Sequence, residues 1–326
     1  MPLISIDQTD LRYSIQLCFG GAACDLRTNS ADLVRVLEGL SISTADSVPS
    51  GFRMRIVVDE LSNEAAGEPH FRGMQHVVTA TFGRSNVFVF DILRRTLSAS
   101  VSATIARDDL FWKEKLIPIC LGVLGSAMGL VPVHCACLEW DGDGLLIAGV
   151  SGAGKSTLSV ALSEDGFNYV SDDWTYISRR RDGIVAHGTS APVKLLPDAV
   201  KHFRSLEGHA LRRSMNGELA YEVDIAEAFG ARVERTCEPR WIIFLERSEE
   251  PEAVFTPMSS AEAKKYVNSS IERLPPQLQE AVAMREQTIE QVAKLPTWRF
   301  RCGGTPQLAA KKLRKFVAQQ RQEICV

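Results

Sequence analysis

Several things are scarce in this chain, and each scarcity closes a class of function. Net charge is the first: 37 Lys and Arg face 40 Asp and Glu, a formal balance of −3. That leaves no cationic excess of the kind a protein needs to neutralise nucleic-acid phosphates, so no nucleic-acid partner is expected. Paired metal-binding residues are the second. The cysteines stand at 18, 24, 120, 135, 137, 237, 302 and 325. Only Cys135 and Cys137 lie close together, and no further Cys or His pair at zinc spacing accompanies them, so a zinc site is not expected. Thiols this dispersed fit a reducing cytoplasm. The opening MPLISID lacks a basic stretch leading into an apolar core, so no secretory signal is expected.

Internal repeats and low-complexity linkers are also missing, which leaves domain boundaries soft. With 326 residues, 45% hydrophobic and 24% charged, the composition is that of a globular chain with one large or two modest domains. One long stretch, 116–138, holds no Asp, Glu, Lys or Arg and is long enough to span a bilayer. It also contains Pro118, Pro132, His134 and three glycines. We therefore read a buried helix over roughly 109–129 followed by a core strand, and no membrane partner.

Three regions separate along the chain. Residues 1–107 alternate with period two around 53–58, 76–82, 86–90 and 96–101, with turns at Gly83, Arg84 and Ser85 and at Arg94 and Arg95. This predicts an antiparallel β meander, with one amphipathic helix over 32–40. Residues 108–250 form an α/β core ending in a buried strand over 239–245. Residues 251–326 read as helical over 261–274, 276–295 and 306–326, packed on that core.

The chemistry is concentrated at 149–156, where the sequence reads GVSGAGKS, a G-x-x-x-x-G-K-S pattern. An apolar run, 145–148, precedes it as a strand, and 157–162 follows as the first turns of a helix. In that setting the backbone at Gly149, Ser151, Gly152, Ala153 and Gly154 can turn its N–H groups toward phosphate oxygens, with the helix N-terminus adding its positive dipole end. Lys155 can reach the β- and γ-phosphates of ATP, Ser156 can ligate Mg²⁺, and Thr157 completes the loop.

Downstream, Asp172 and Asp173 close a short strand that is entered from Gly166. An Asp-Asp pair is usually a polar turn. One helix beyond a phosphate loop, it can also reach the nucleotide. Upstream, His134 precedes an apolar strand that turns at Asp141, Gly142, Asp143 and Gly144 and returns as the strand feeding the loop.

His134, the glycine-rich loop and the Asp pair at these spacings resemble the catalytic domain of HPr kinase/phosphorylase and its relatives. Those relatives include lasso-peptide precursor kinases and free-serine kinases. The resemblance covers about 130–200. It implies a kinase core of the HPr kinase/phosphoenolpyruvate carboxykinase type that moves the γ-phosphoryl of ATP to a hydroxyl, most often a serine of a peptide or protein. It also implies Asp172 as general base, Asp173 and Ser156 as Mg²⁺ ligands, His134 tuning Asp172, and a homo-oligomer. The segment 187–197 lacks the acidic, glycine-rich signature of the bifunctional enzymes, so the reverse reaction is not expected. Lys194 within it can face phosphate or acceptor. Arg212 and Arg213, in a stretch (206–217) that reads as a loop, can close on the phosphoryl group or on an acidic acceptor. A small-molecule kinase and a nucleotide-gated ATPase or binding module are the alternatives.

Overall fold

The computed structural model describes residues 11–42, 51–189, 192–213, 217–250, 252–269, 271, 274 and 278–324. The opening residues, Ser190 and Ala191, 214–216 of the expected loop, the start of the 276–295 helix, and Cys325 lie outside those described. The chain is mixed α/β. It divides into two compact units, 1–132 with 271–288 and 133–270 with 289–326. This grouping differs from the boundaries read at 107/108 and 250/251: the apolar helical stretch after 108 belongs with the first unit, and the carboxy-terminal segment contributes to both.

In the first unit the strands are β1 (Tyr13–Phe19), β2 (Ala22–Thr28), β3 (Phe52–Asp59), β4 (Pro69–Met74), β5 (Val77–Phe82), β6 (Val87–Asp91) and β7 (Thr96–Ser102). They form one sheet in the order β1-β2-β3-β7-β6-β5-β4. The meander holds from β4 to β7, which are antiparallel. It fails at β3, which runs parallel to both β2 and β7. Helix α1 (Ala31–Leu40), with the Ser30 side chain capping the Leu33 N–H, is the crossover that makes the β2–β3 pairing possible.

Beyond β7 come α2 (Ala103–Arg107), α3 (Asp109–Phe111), a π-helical turn over Trp112–Leu116, α4 (Ile117–Leu124) and a 3₁₀ turn over Gly125–Met128. The expected helix therefore forms with its hydrogen-bond pattern altered just ahead of Pro118, which has no N–H to donate. Its apolar side chains enter an aromatic core in which Phe82 meets Phe88 and Phe111 edge to face at 5.6 and 5.0 Å. Among the described residues no helix is long and apolar enough to cross a membrane. Strand β8 (Val131–Val133) lies where the chain passes from one unit to the next.

The second unit contains β9 (Ala136–Trp140), β10 (Asp143–Ala148), α5 (Lys155–Glu164), β11 (Asn168–Ser171), β12 (Thr175–Arg180), β13 (Gly183–His187), β14 (Val193–Leu195), β15 (Leu211–Arg213), β16 (Leu219–Val223), α6 (Ile225–Phe229), β17 (Thr236–Arg247), β18 (Val254–Met258) and α7 (Ser260–Ser269). These are followed by α8 (Gln279–Ala293), which begins in the first unit, and by β19 (Thr297–Cys302) and α9 (Pro306–Ile324). Its main sheet runs β11-β9-β10-β17-β13-β12, with β19 pairing β17 and β18 pairing β19.

β9 and β10 form the expected hairpin, turning through Asp141 (φ 51°) and Gly142 (φ 89°), the two positive values of a type I′ turn. β10 and β19 both run parallel to β17. The 251–326 segment is thus partly strand, because β19, with Thr297 and Phe300 buried and Arg301 exposed, pairs with β17 and β18 and extends the sheet. Leu145, Ile147, Leu158, Leu162, Trp241, Ile243, Phe300 and Leu313 share one apolar cluster, joining the sheet to α5 and α9. This core fixes the ends of β10 and β17, where the loop read from the sequence begins.

Candidate active site

Gly149 stands at the end of β10, and Lys155 opens α5. Between them Gly149, Gly152 and Gly154 take φ values of 148°, 77° and 98°. Two of these positions have visible reasons. A Cβ on Gly149 would lie 2.8 Å from the Leu245 carbonyl oxygen of the neighbouring strand. Gly154, which caps α5 in the left-handed region, allows the chain to turn directly into the helix. Ser151 and Gly152 are exposed, while Ala153 and Lys155 are buried. The Lys155 ammonium donates to the Gly149 carbonyl at 3.1 Å and to that of Val150 at 3.4 Å. The cation therefore folds back over its own loop, and the arrangement offers a positive charge and a helix N-terminus on one side of the β10 end.

The aspartates arrive from β11. The Ser171 and Thr175 hydroxyls meet at 2.6 Å, and Thr175 donates to the Cys135 carbonyl at 2.9 Å. This ties the turn holding Asp172 and Asp173 to the segment holding His134. Asp173 sits at φ 66°, a left-handed conformation that Asp tolerates better than most residues, and the two carboxylates end in opposite environments.

Asp172 is only 8% exposed. Its carboxyl is pushed up to about 6, first by burial and also by the charge of Asp173; hydrogen bonds from the Ser156 hydroxyl and from the Lys194 and Asp173 backbone N–H groups pull the other way. Its Oδ1 is buried without a hydrogen-bond partner among the described residues. The Asp173 side chain is 62% exposed and lies 2.9 Å from His134 Nε2. Burial raises its pKa, but the His134 hydrogen bond and charge, with Lys155 and Lys194, outweigh that and hold it below the ordinary carboxylate value.

The sequence reading placed His134 on Asp172 and Ser156 with Asp173. In the structure Ser156 serves Asp172, and the His134 ring nitrogen meets Asp173. An orphaned, buried carboxylate oxygen next to a hydroxyl suits a hard divalent cation, which favours oxygen ligands. Among the described residues no group of three or more His, Cys, Asp or Glu could hold a metal.

Three contributors carry no local sequence signal. Tyr266, on α7, donates its hydroxyl to the His134 carbonyl at 2.8 Å and accepts from the Gly149 N–H at 3.2 Å, so one group holds both the histidine segment and the start of the loop. Trp174 lies against the His134 ring, with centroids 5.3 Å apart. Arg247, at the end of β17, donates to the Ala153 carbonyl at 3.4 Å and adds a second cation beside the loop. All three come from long-range pairing; the only hint was that 239–245 reads as a buried strand.

Thr157 lies on the first turn of α5. Lys194 lies on β14, its backbone on Asp172 and its ammonium 3.5 Å from Glu222. Arg212 and Arg213 are not in a structureless loop: they lie on β15, paired with Ala220 and Leu219 of β16.

No protein-family model matches the chain, and no curated protein matches it. Among solved structures it is similar to the Hpr(Ser) kinase/phosphatase from Coxiella burnetii, at 14% identity and a TM-score of 0.33, over 60% of this chain and 94% of that one.

Proposed function

We propose that the second unit is an ATP-dependent phosphotransferase that moves the γ-phosphoryl to a hydroxyl, most simply a serine hydroxyl of a peptide or protein. The observation that carries this reading is the opposite environment of two adjacent carboxylates beside a glycine-rich strand-to-helix loop. Asp172 is buried, orphaned at one oxygen and touched by Ser156; Asp173 is open to solvent and paired with His134. Two carboxylates held apart in this way divide two tasks between them.

In this reading the loop from Gly149 to Gly154 receives the phosphates, and Lys155 and Arg247 oppose their charge. Ser156 and Asp172 are the groups that would hold Mg²⁺, which supplies charge neutralisation on the phosphate oxygens when bound. Asp173 accepts the proton of the acceptor hydroxyl, because a base must first be within reach of the proton it takes and only then have a suitable pKa. His134 holds the Asp173 carboxylate in place from the other side. These roles are the reverse of those first read from the sequence for Asp172 and Asp173, and the exchange follows from which side chain each one touches.

The two single amide variants test the division. Asp173→Asn is expected to keep Mg·ATP affinity while transfer to a hydroxyl falls by roughly 10²–10⁴-fold, the usual worth of a general base. Asp172→Asn is expected to raise the Mg²⁺ concentration needed for half-maximal turnover. The opposite pattern restores the first assignment, and indistinguishable behaviour in both assays removes the division altogether. Failure of the wild-type protein to bind Mg·ATP in a calorimetric titration would remove the whole reading.

A further inference from the structure

Strands β14, β16 and β15 form a small separate sheet, in that order. β14 starts at the aspartate pair, since the Lys194 N–H binds the Asp172 carboxylate. β15 is at the far edge, and Leu211, Arg212 and Arg213 are all exposed. Within the described part of this hairpin the charged residues are Arg212, Arg213, Glu218 and Glu222. The Glu222 side chain is only 7% exposed and lies 3.5 Å from the Lys194 ammonium, so it is neutralised from within. The charge left at the surface is two guanidiniums against Glu218. Arg213 also donates to the Gly217 carbonyl at 2.6 Å, which holds it at the turn end of the hairpin. Leu211 and Leu219, each 42% exposed, lie on the same face of the hairpin as Arg213, because residues at alternate positions share a face and Arg213 pairs directly with Leu219.

Register gives the distance. Lys194 pairs Glu222 and Arg213 pairs Leu219, so Arg213 lies three residues along β16 and two strand spacings across from the backbone that touches Asp172. At about 3.3 Å per residue and about 4.8 Å per strand, that is about 14 Å. A guanidinium anchored there is too far away to act on the phosphoryl group itself; a chain added outside β15 lies one strand spacing further out, about 17 Å from that backbone, which an extended segment covers in about five residues.

We propose that the free edge of β15 docks an extended acidic peptide as a fourth strand. The peptide delivers its serine to Asp173, and its Asp or Glu side chains, about five or six residues from that serine, meet Arg212 on one face and Arg213 on the other. This rests on the phosphotransferase reading and specifies its acceptor. An exposed edge strand offers unpaired backbone groups to such a segment, the exposed leucines supply an apolar contact on one face, and the arginines select for acid. β15 runs away from the site, so antiparallel addition, the more stable pairing per residue, puts the acids on the amino-terminal side of the serine.

A library of thirteen-residue peptides with a fixed central serine and one varied position at a time, labelled from γ-labelled ATP, tests this directly. Wild-type protein is expected to incorporate up to about fivefold more label when Asp or Glu stands about five or six residues before the serine, the upper end of what one exposed charge pair supplies. The double variant Arg212→Glu, Arg213→Glu is expected to transfer that preference to Lys and Arg, a gain that an unfolded protein could not show. An unchanged preference in the variant, or no preference in the wild type, overturns the docking proposal. So does labelling of free serine with none of any peptide. A parallel calorimetric titration with Mg·ATP separates the two ideas: binding without peptide labelling overturns only the acceptor, whereas absent binding overturns the nucleotide reading as well.

Discussion

The glycine loop and the β14–β16–β15 sheet lie on either side of the aspartate pair, and they are built differently. The loop is held at many points: Lys155 on two carbonyls, Tyr266 on Gly149, Arg247 on Ala153, and the Leu245 backbone pressed against Gly149. The small sheet is thin, and its edge strand is three exposed residues long. A site that must recognise the same triphosphate every time gains from rigid, convergent groups. A site that must admit one peptide among many can place its selectivity on an edge that a few substitutions would redirect. On this view the two sides should respond differently to mutation, pH and salt.

The largest effect is expected on the rigid side. Lys155→Ala removes the buried cation and both of its carbonyl contacts, so turnover is expected to fall by at least about 10³-fold, as when a positioned electrostatic group is lost. Calorimetric affinity for ATP is expected to fall with it. If both are unchanged, the loop is only a turn and the contrast between the two sides disappears.

Asp172 gives the next effect, on stability rather than rate. Its folded pKa of about 6 lies above the value near 3.9 of an unfolded Asp. The folded state therefore holds the proton more tightly, and the ionised carboxylate opposes folding. That cost is complete above pH 6 and fades as the pH falls from 6 toward 4. Asp172→Asn carries no charge to bury, so without ligand it is expected to unfold later than wild type at pH 8, by up to about 3 kcal/mol for a shift of about two units. The advantage should vanish near pH 4. Denaturant titrations at the two pH values measure it, and an equal difference at both would show that the gain comes from something other than ionisation.

Much of this site was legible because its signals are local. The loop motif, the following helix and the Asp pair lie within 25 consecutive residues, and strand-to-helix geometry depends on near neighbours. Tyr266 was not legible. It touches a histidine 132 positions earlier in the chain, and nothing around it in sequence distinguishes it from a helix-face tyrosine.

The same holds for the pairing of the carboxylates. Adjacent residues on a strand end point in opposite directions, and which of them meets His134 depends on the left-handed turn at Asp173, which sequence spacing does not encode. β15 was read as loop because three exposed residues, two of them arginines, have no apolar alternation, and they become a strand only by pairing with β16. The parallel pairing of β3 with β2 and β7 likewise replaces part of the expected meander through contacts between distant segments.

A smaller effect tests whether the rigid side owes its form to Tyr266. Tyr266→Phe keeps the ring against Phe244, where the centroids are 4.5 Å apart, and removes only the hydroxyl. Losing hydrogen bonds worth about 1 kcal/mol net corresponds to a rate change of about fivefold. The loss should appear mainly in kcat, with acceptor KM unchanged, because His134 and the loop shift together while the small sheet is untouched. A rise in acceptor KM instead would mean that the two sides are coupled through α7.

The smallest expected effect comes from salt, and it separates the two sides without any substitution. Arg212 and Arg213 are exposed, so their attraction for an acidic segment acts across solvent, where the screening length shrinks from about 10 Å at 0.1 M to about 3 Å at 1 M. Exposed charge pairs contribute only about 0–1 kcal/mol each, so acceptor KM is expected to rise by no more than a few-fold over that range. Lys155 is 8% exposed and sits against its own loop, where a buried pair is screened much less. With Mg²⁺ saturating, the affinity for ATP should therefore fall by a smaller factor than acceptor KM rises, and in the Arg212→Glu, Arg213→Glu variant the acceptor KM of an acidic peptide should fall with salt instead of rising. Equal salt dependence for nucleotide and acceptor in the wild-type protein would mean that the acceptor is not held by the exposed arginines, whatever else the edge of β15 contributes.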